Sequence, residues 1–141
     1  MNVNLDVHKL QDMKKSHLDF FSEALNLTKK SGHPKFQHGS IVVHRNSIVG
    51  RGANFGFTHA EVSSIQNCNH RHITSRDRLV VFVCRVNSRG VFMNSRPCDR
   101  CQTYMRRKGI HKVYFTLDDT EVGKITFSES GRQNFPKKGA Q

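Results

Sequence analysis

Two short stretches hold side chains whose types and spacing suit metal chemistry: His59-Ala60-Glu61 and Pro97-Cys98-Asp99-Arg100-Cys101. Zinc takes tetrahedral nitrogen and sulfur donors, and a catalytic zinc keeps one position open for water. One imidazole and two thiolates supply three donors, and the thiolates neutralise the ion. Cys98 and Cys101 are three residues apart, so in the first turn of a helix they face one side. A helix N-terminus also favours the thiolate that a metal needs. Glu61 is then placed to reach an activated water without ligating the ion. A closed structural zinc site would need a fourth protein ligand, and Cys68, His70 and His72 are the residues available for that, or for a second metal site. A thioredoxin-like redox pair would need only the two cysteines and would leave His59 and Glu61 without a role.

The elements that must position these groups are legible as patterns. Apolar residues recur at helical steps from Leu10 to Thr28, predicting a helix over roughly Asn4 to Lys30, stopped by Gly32 and Pro34. Ser40 to His44 and Ser47 to Ala53 predict a β-hairpin turning at Arg45-Asn46. A second helix is expected from His59 to about Asn67, with Thr58 as its cap and Glu61 completing a capping box. Asn69 to Arg78 is expected to be a loop. Leu79 to Val86 is a dense β-branched run that predicts a buried strand. Val91 to Met93 predicts a short strand. Pro97 opens a third helix that ends at Gly109, and strands follow at Lys112 to Leu117 and Val122 to Phe127. The fold class expected is α/β, a three-layer sandwich with a mixed central sheet of about five strands covered by helices. One domain over residues 1–127 is expected, with 128–141 as a loose tail.

The chain carries 23 Lys and Arg against 11 Asp and Glu, a net charge of +12, which suggests a polyanionic partner such as nucleic acid. Much of the excess lies between Asn69 and Lys112, where eleven Lys and Arg face two Asp. Arg71, Arg76 and Arg78, with Arg96 and Arg100 beside the cysteines, are the candidates for nucleic-acid contact. No run is long and apolar enough for a membrane span, and no secretory signal is visible, so an intracellular protein with reduced cysteines is expected, cytoplasmic with a nuclear location left open. Cys84 reads as a small core residue, and His33, His38 and His44 as surface or turn residues.

The two motifs together resemble the cytidine deaminase superfamily, whose signature pairs H-x-E with P-C-x-x-C. The resemblance spans roughly residues 39–117 and includes Gly52-Ala53-Asn54 and Gly109-Ile110-His111-Lys112-Val113-Tyr114. Asn94-Ser95-Arg96-Pro97-Cys98 and the later Asp118-Asp119 look most like the deoxycytidylate-deaminase-like branch, which has viral members. The resemblance implies a Zn2+ cofactor on His59, Cys98 and Cys101, Glu61 as the proton shuttle, and the peptide N–H of Cys98 as a second stabiliser of the reacting water. It places Asn54 on the sugar of the substrate, where the alternative is a turn residue closing the strand. Ala60, Phe57 and Ser95 join Asn54 as substrate-binding candidates, with Phe55 and Phe57 either stacking on a base or closing the core. A homo-oligomer is compatible with this family.

Four functions compete. The first is deamination of cytosine to uracil in single-stranded or flipped-out nucleic acid, which the basic segment favours because phosphate contacts accumulate along a strand. The others are deamination of a free cytosine nucleotide, deamination of adenosine in tRNA, and a non-catalytic nucleic-acid-binding module. The last would have no need of Glu61.

Overall fold

A computed structural model describes residues 3–32, 35–56, 58–68 and 78–127. In chain order these form β1 (Val3–Lys9), a 3-10 turn, α1 (Lys15–Thr28), β2 (Gln37–His44), β3 (Ser47–Ala53), α2 (Ala60–Gln66), β4 (Leu79–Val86), β5 (Phe92–Met93), α3 (Asp99–Arg107), β6 (Ile110–Thr116) and β7 (Glu121–Phe127). One seven-stranded sheet has the order β1-β7-β6-β4-β2-β3, with β5 added to β4. Among the described residues only β4 and β6 run parallel, and every other ladder is antiparallel.

The mixed sandwich is as expected, but the sheet has seven strands rather than about five. The short β5 falls within the strand predicted at Val91 to Met93, whereas β1 lies where a helix was predicted. Val3 to Lys9 is a strand paired along its whole length with β7, and helix begins only at Lys15. Alternation of Leu5 and Val7 with Asp6 and His8 suits a strand, and seven ladder positions on β7 outweigh any local helical preference. The expected tail, 128–141, lies outside the described residues.

β4 sits near the middle because it is apolar on both faces. Val81 and Val83 point to one side, Phe82 and Cys84 to the other. On the second side α1 lays Phe21, Ala24 and Leu27 over Ile41, Val43 and Phe82. There Phe82 and Tyr114 stack at 4.9 Å between ring centroids. The opposite face carries α2 and α3, through Ile65, Cys101 and Met105. Gly39 permits α1 to lie directly on β2, since a β-carbon there would strike the carbonyl oxygen of Ala24. The β2–β3 turn has the positive φ angles of a tight hairpin, 51° at Arg45 and 66° at Asn46.

The sheet's two ends differ. Gln37 pairs with Val86 at one end and His44 with Leu79 at the other. The first end carries the chemistry.

Candidate metal centre and cleft

Both motif helices begin on the same end of the sheet. His59 is the N-cap of α2, with φ −74° and ψ 155°, and Cys98 is the N-cap of α3, with φ −68° and ψ 167°. Neither cap makes a side-chain capping bond, so imidazole and thiol are left to point off the helix ends. Thr58 is therefore not the cap expected from the sequence. Its backbone instead exchanges two 3.0 Å hydrogen bonds with Phe55, closing a tight loop around Gly56.

His59, Cys98 and Cys101 form a candidate metal site, with one donor atom from each lying within 4.8 Å of the others. Nδ1 of His59 is 3.1 Å from Sγ of Cys101 and 3.8 Å from Sγ of Cys98. Zinc bonds of about 2.0 Å to nitrogen and 2.3 Å to sulfur, at tetrahedral angles, would separate nitrogen and sulfur by about 3.5 Å. The two observed distances bracket that value, so the donor set fits zinc. All four cysteines are free thiols. Among the described residues no fourth His, Cys, Asp or Glu joins the cluster. Burial, with Glu61 and Cys98 nearby, holds the Cys101 thiol far above its ordinary pKa. Zinc must therefore displace a tightly held proton there.

A cleft of about 260 Å³ opens beside these donors, bordered by His59, Cys98, Ala60, Glu61, Asn54 and Arg96. Glu61 is 3% exposed, and burial pushes its carboxyl up to about 7, only partly offset by its own backbone N–H. An acid poised near neutrality can both accept and return a proton. The carboxyl lies in the first turn of α2.

These features coincide with a match over residues 14–117 to the model of the cytidine and deoxycytidylate deaminase zinc-binding region. The chain belongs to this family. Its fold resembles the crystal structure of the dCMP deaminase from cyanophage S-TIM5, with a TM-score of 0.55 at 20% identity, covering 74% of this chain and 86% of that one. It also resembles RibD of Acinetobacter baumannii, with a TM-score of 0.53 at 18% identity, but spans only 28% of that chain. The diaminohydroxyphosphoribosylaminopyrimidine deaminase/5-amino-6-(5-phosphoribosylamino)uracil reductase of Thermotoga maritima is similar at 21% identity and a TM-score of 0.50, with 29% of its length covered. No curated protein matches the sequence. No helix among the described residues is long and apolar enough to cross a membrane.

Within this deaminase site, Asn54 does line the cleft, but its amide is heavily engaged by the protein. Its Oδ1 accepts from the His38 N–H at 2.9 Å and from the Ser31 hydroxyl, while Nδ2 donates to the Phe36 carbonyl at 2.6 Å. The turn role is thus visible in its bonds, and its place on the cleft wall is compatible with a substrate contact. Ser95 departs from the substrate-binding expectation. It is 2% exposed, and its hydroxyl bonds to the Val83 carbonyl at 3.1 Å and to Thr116 Oγ1 at 2.9 Å. It braces the loop behind the cysteines from inside the sheet.

The basic candidates separate. Arg96 borders the cleft and Arg100 is exposed on α3. Arg78 does not flank the cleft mouth. It precedes Leu79, which pairs with His44 at the opposite end of the sheet, seven residues from the Val86 end. At about 3.3 Å per residue this is about 23 Å away. Phe57, Arg71 and Arg76 lie outside the described residues, as do His70 and His72. Cys68 is buried, its thiol pushed up to about 11 by burial and bonded to the Ser64 carbonyl at 3.5 Å.

Three residues of the site were not singled out from sequence. Phe36 and His38 border the cleft, although His38 was read as a surface or turn residue. Gln102, 4% exposed, donates to the Pro97 carbonyl at 2.9 Å and so fastens the cysteine loop to α3. Its position one turn after Cys98 was the available signal.

Proposed function

We propose that this deaminase converts cytosine to uracil by water addition, acting on cytosine in single-stranded or flipped-out nucleic acid. The observation that carries the chemistry is the buried Glu61 carboxyl, which borders the same cleft as His59 and Cys98. Held by His59, Cys98 and Cys101, zinc would supply Lewis acidity that makes water a nucleophile near neutral pH. Glu61 takes a proton from the attacking water, passes it to the ring nitrogen, and assists the amine to leave as ammonia. Water and the exocyclic C–N bond are consumed, and a ring carbonyl and ammonia result. The Cys98 N–H at the start of α3 is suited to hold the water during attack. Asn54 and Ala60 border the space for sugar and base, and Arg96 is available for a phosphate.

Support for a polymer comes from the aromatic rim. Phe36 is 45% exposed beside the cleft and carries the Arg85 guanidinium 4.5 Å above its ring, and Phe55 is 73% exposed. Exposed rings of this kind offer stacking surfaces for bases that flank the reacting one. A second reading, a free cytosine nucleotide such as deoxycytidylate, is favoured by the cleft's modest 260 Å³, which suits a single nucleotide. Incubation of the purified protein with deoxycytidylate, cytidine, single-stranded DNA, RNA and tRNA, followed by identification of the bases by mass spectrometry, tests the proposal. Uracil in the polymers is the expected product. Turnover confined to free nucleotides establishes the second reading, and inosine in tRNA would refute both.

A further inference from the structure

Several basic side chains meet far from the cleft, on the face of the sheet that α1 only partly covers. Lys112 in β6 and Lys124 in β7 share that face with Tyr114, since Lys124 is the direct ladder partner of Tyr114 and Lys112 lies two residues before it. Lys14 stands at the start of α1, and His17 one turn on rests against Tyr114 at 4.7 Å between ring centroids. Lys112 and Lys124 are half-buried. Among the described residues, the one carboxylate ion-paired with this group is Asp6, whose Oδ2 is 3.7 Å from Lys124 Nζ.

Like charges so placed oppose one another. After burial, the influences that lower the pKa of His17 are Lys14, Lys112 and Lys124, and those that lower that of Lys112 are Lys124, Lys14 and Arg78. Every one of these neighbours is a cation. An arrangement that costs energy when empty is relieved by an anion lying among the ammonium groups. The lysines stand side by side on two neighbouring strands and on the helix beside them, forming a stripe along the sheet face that successive phosphates of a chain can follow. The net charge of +12 adds long-range attraction for such a chain.

We infer that Lys14, Lys112 and Lys124, with His17 among them, form a second contact surface that grips the phosphate backbone of single-stranded nucleic acid. Lys112 is paired near Val80, six residues along β4 from the cleft end at Val86. Along the strand direction alone this is about 20 Å from the cleft end of the sheet, and the grip lies on the opposite face from α2 and α3, so a strand reaching both must pass around the sheet. Its use in feeding the cleft rests on the polymer reading above; the grip itself does not.

The test uses the zinc-loaded protein and a fluorescent oligothymidylate, which has no cytosine to engage the cleft. Affinity is measured by anisotropy across salt concentrations for wild type, for Lys14→Gln/Lys112→Gln/Lys124→Gln, and for the corresponding triple Arg variant. Each lost phosphate contact lowers the salt slope by about 0.7, so the Gln variant should lose about 2 while the Arg variant keeps the wild-type slope. Zinc content of the Gln variant should remain at the wild-type level. Equal slopes in all three proteins overturn the inference. So does an Arg variant as flat as the Gln variant, because charge would not be the cause. Displacement of the oligonucleotide by inorganic phosphate at matched ionic strength would make this a small-anion site and overturn the polymer grip. Binding through these lysines with turnover of free nucleotides alone would refute the polymer substrate and leave the grip standing.

Discussion

His59 Nδ1 lies 3.1 Å from Cys101 Sγ, although 42 residues separate the two in the chain. With the buried Cys101 thiol strongly protonated, zinc uptake must release a proton. Apparent zinc affinity should therefore rise about tenfold per pH unit for each proton displaced. Competition with a chromophoric chelator at several pH values measures this. Cys101→Ser should bring bound zinc well below one ion per chain, and a pH-independent affinity would contradict the buried-thiol account.

Glu61→Gln preserves the size of the side chain and removes its ability to carry a proton. Activity should fall by at least about 10² to 10⁴, the usual contribution of a general acid–base group. Zinc content and thermal stability should persist. Wild-type turnover by this variant, measured on whichever substrate the mass spectrometric survey identifies, would remove Glu61 from the proposed role.

In chelated protein the same carboxyl should shape stability. Its pKa of about 7, against an ordinary 4.5, means that the folded state keeps a proton which the unfolded chain gives up. Its stabilising contribution is fully present below about pH 4.5 and is lost as pH rises through about 7, a change of about 3 kcal/mol. Urea unfolding of metal-free wild type and Glu61→Gln across this window should show the variant gaining relative stability as pH rises. A constant difference would show that the carboxyl is not desolvated.

Gly39→Ala should be among the most damaging single-methyl additions to the fold. The new carbon would meet the Ala24 carbonyl and crowd the Thr28 N–H on α1, neither of which can swing away as a side chain could. A loss of about 3 kcal/mol or more is expected. Gly90→Ala is the comparison: space there is open, and only its φ of 78° opposes a side chain, at about 1 kcal/mol. Denaturant midpoints of the two variants check the order.

Asn54→Ala should weaken both folding and substrate use. The His38 N–H, the Ser31 hydroxyl and the Phe36 carbonyl each lose a partner. Stability should fall by about 1 to 3 kcal/mol, and KM should rise as the cleft wall loosens. A raised KM with unchanged stability would make Asn54 a substrate contact alone.

The metal centre was legible because ligand chemistry restricts residue types so sharply: one His and two Cys at these spacings leave few alternatives. The β2–β3 hairpin was legible because Arg45-Asn46 is short and Asn accepts positive φ. β1 was missed for the opposite reason. Its alternating Leu5 and Val7 are 45% and 53% exposed, and among the described strands it pairs with the distant β7, which no local pattern reveals. The distance of Arg78 from the cleft was not legible, because a basic residue near a motif in sequence says nothing about which end of a sheet it joins. Ser95 was misassigned because proximity to Cys98 in the chain conceals that its hydroxyl turns inward to Val83 and Thr116.

The parallel pairing of β4 with β6 has a consequence for the order of assembly. Parallel neighbours cannot be joined by a tight turn, so the chain must travel out through β5 and α3 and return before that ladder can close. Joins between remote segments form late and slowly. The β2–β3 hairpin and β6–β7 can form from nearby chain, whereas His59 meets Cys98 and Cys101 only once the central ladder is in place. Zinc would then act as a latch on a finished structure rather than as a seed for it. By binding across the seam between the two motif helices, the ion would slow reopening of the sheet's centre while leaving the earlier, local steps untouched.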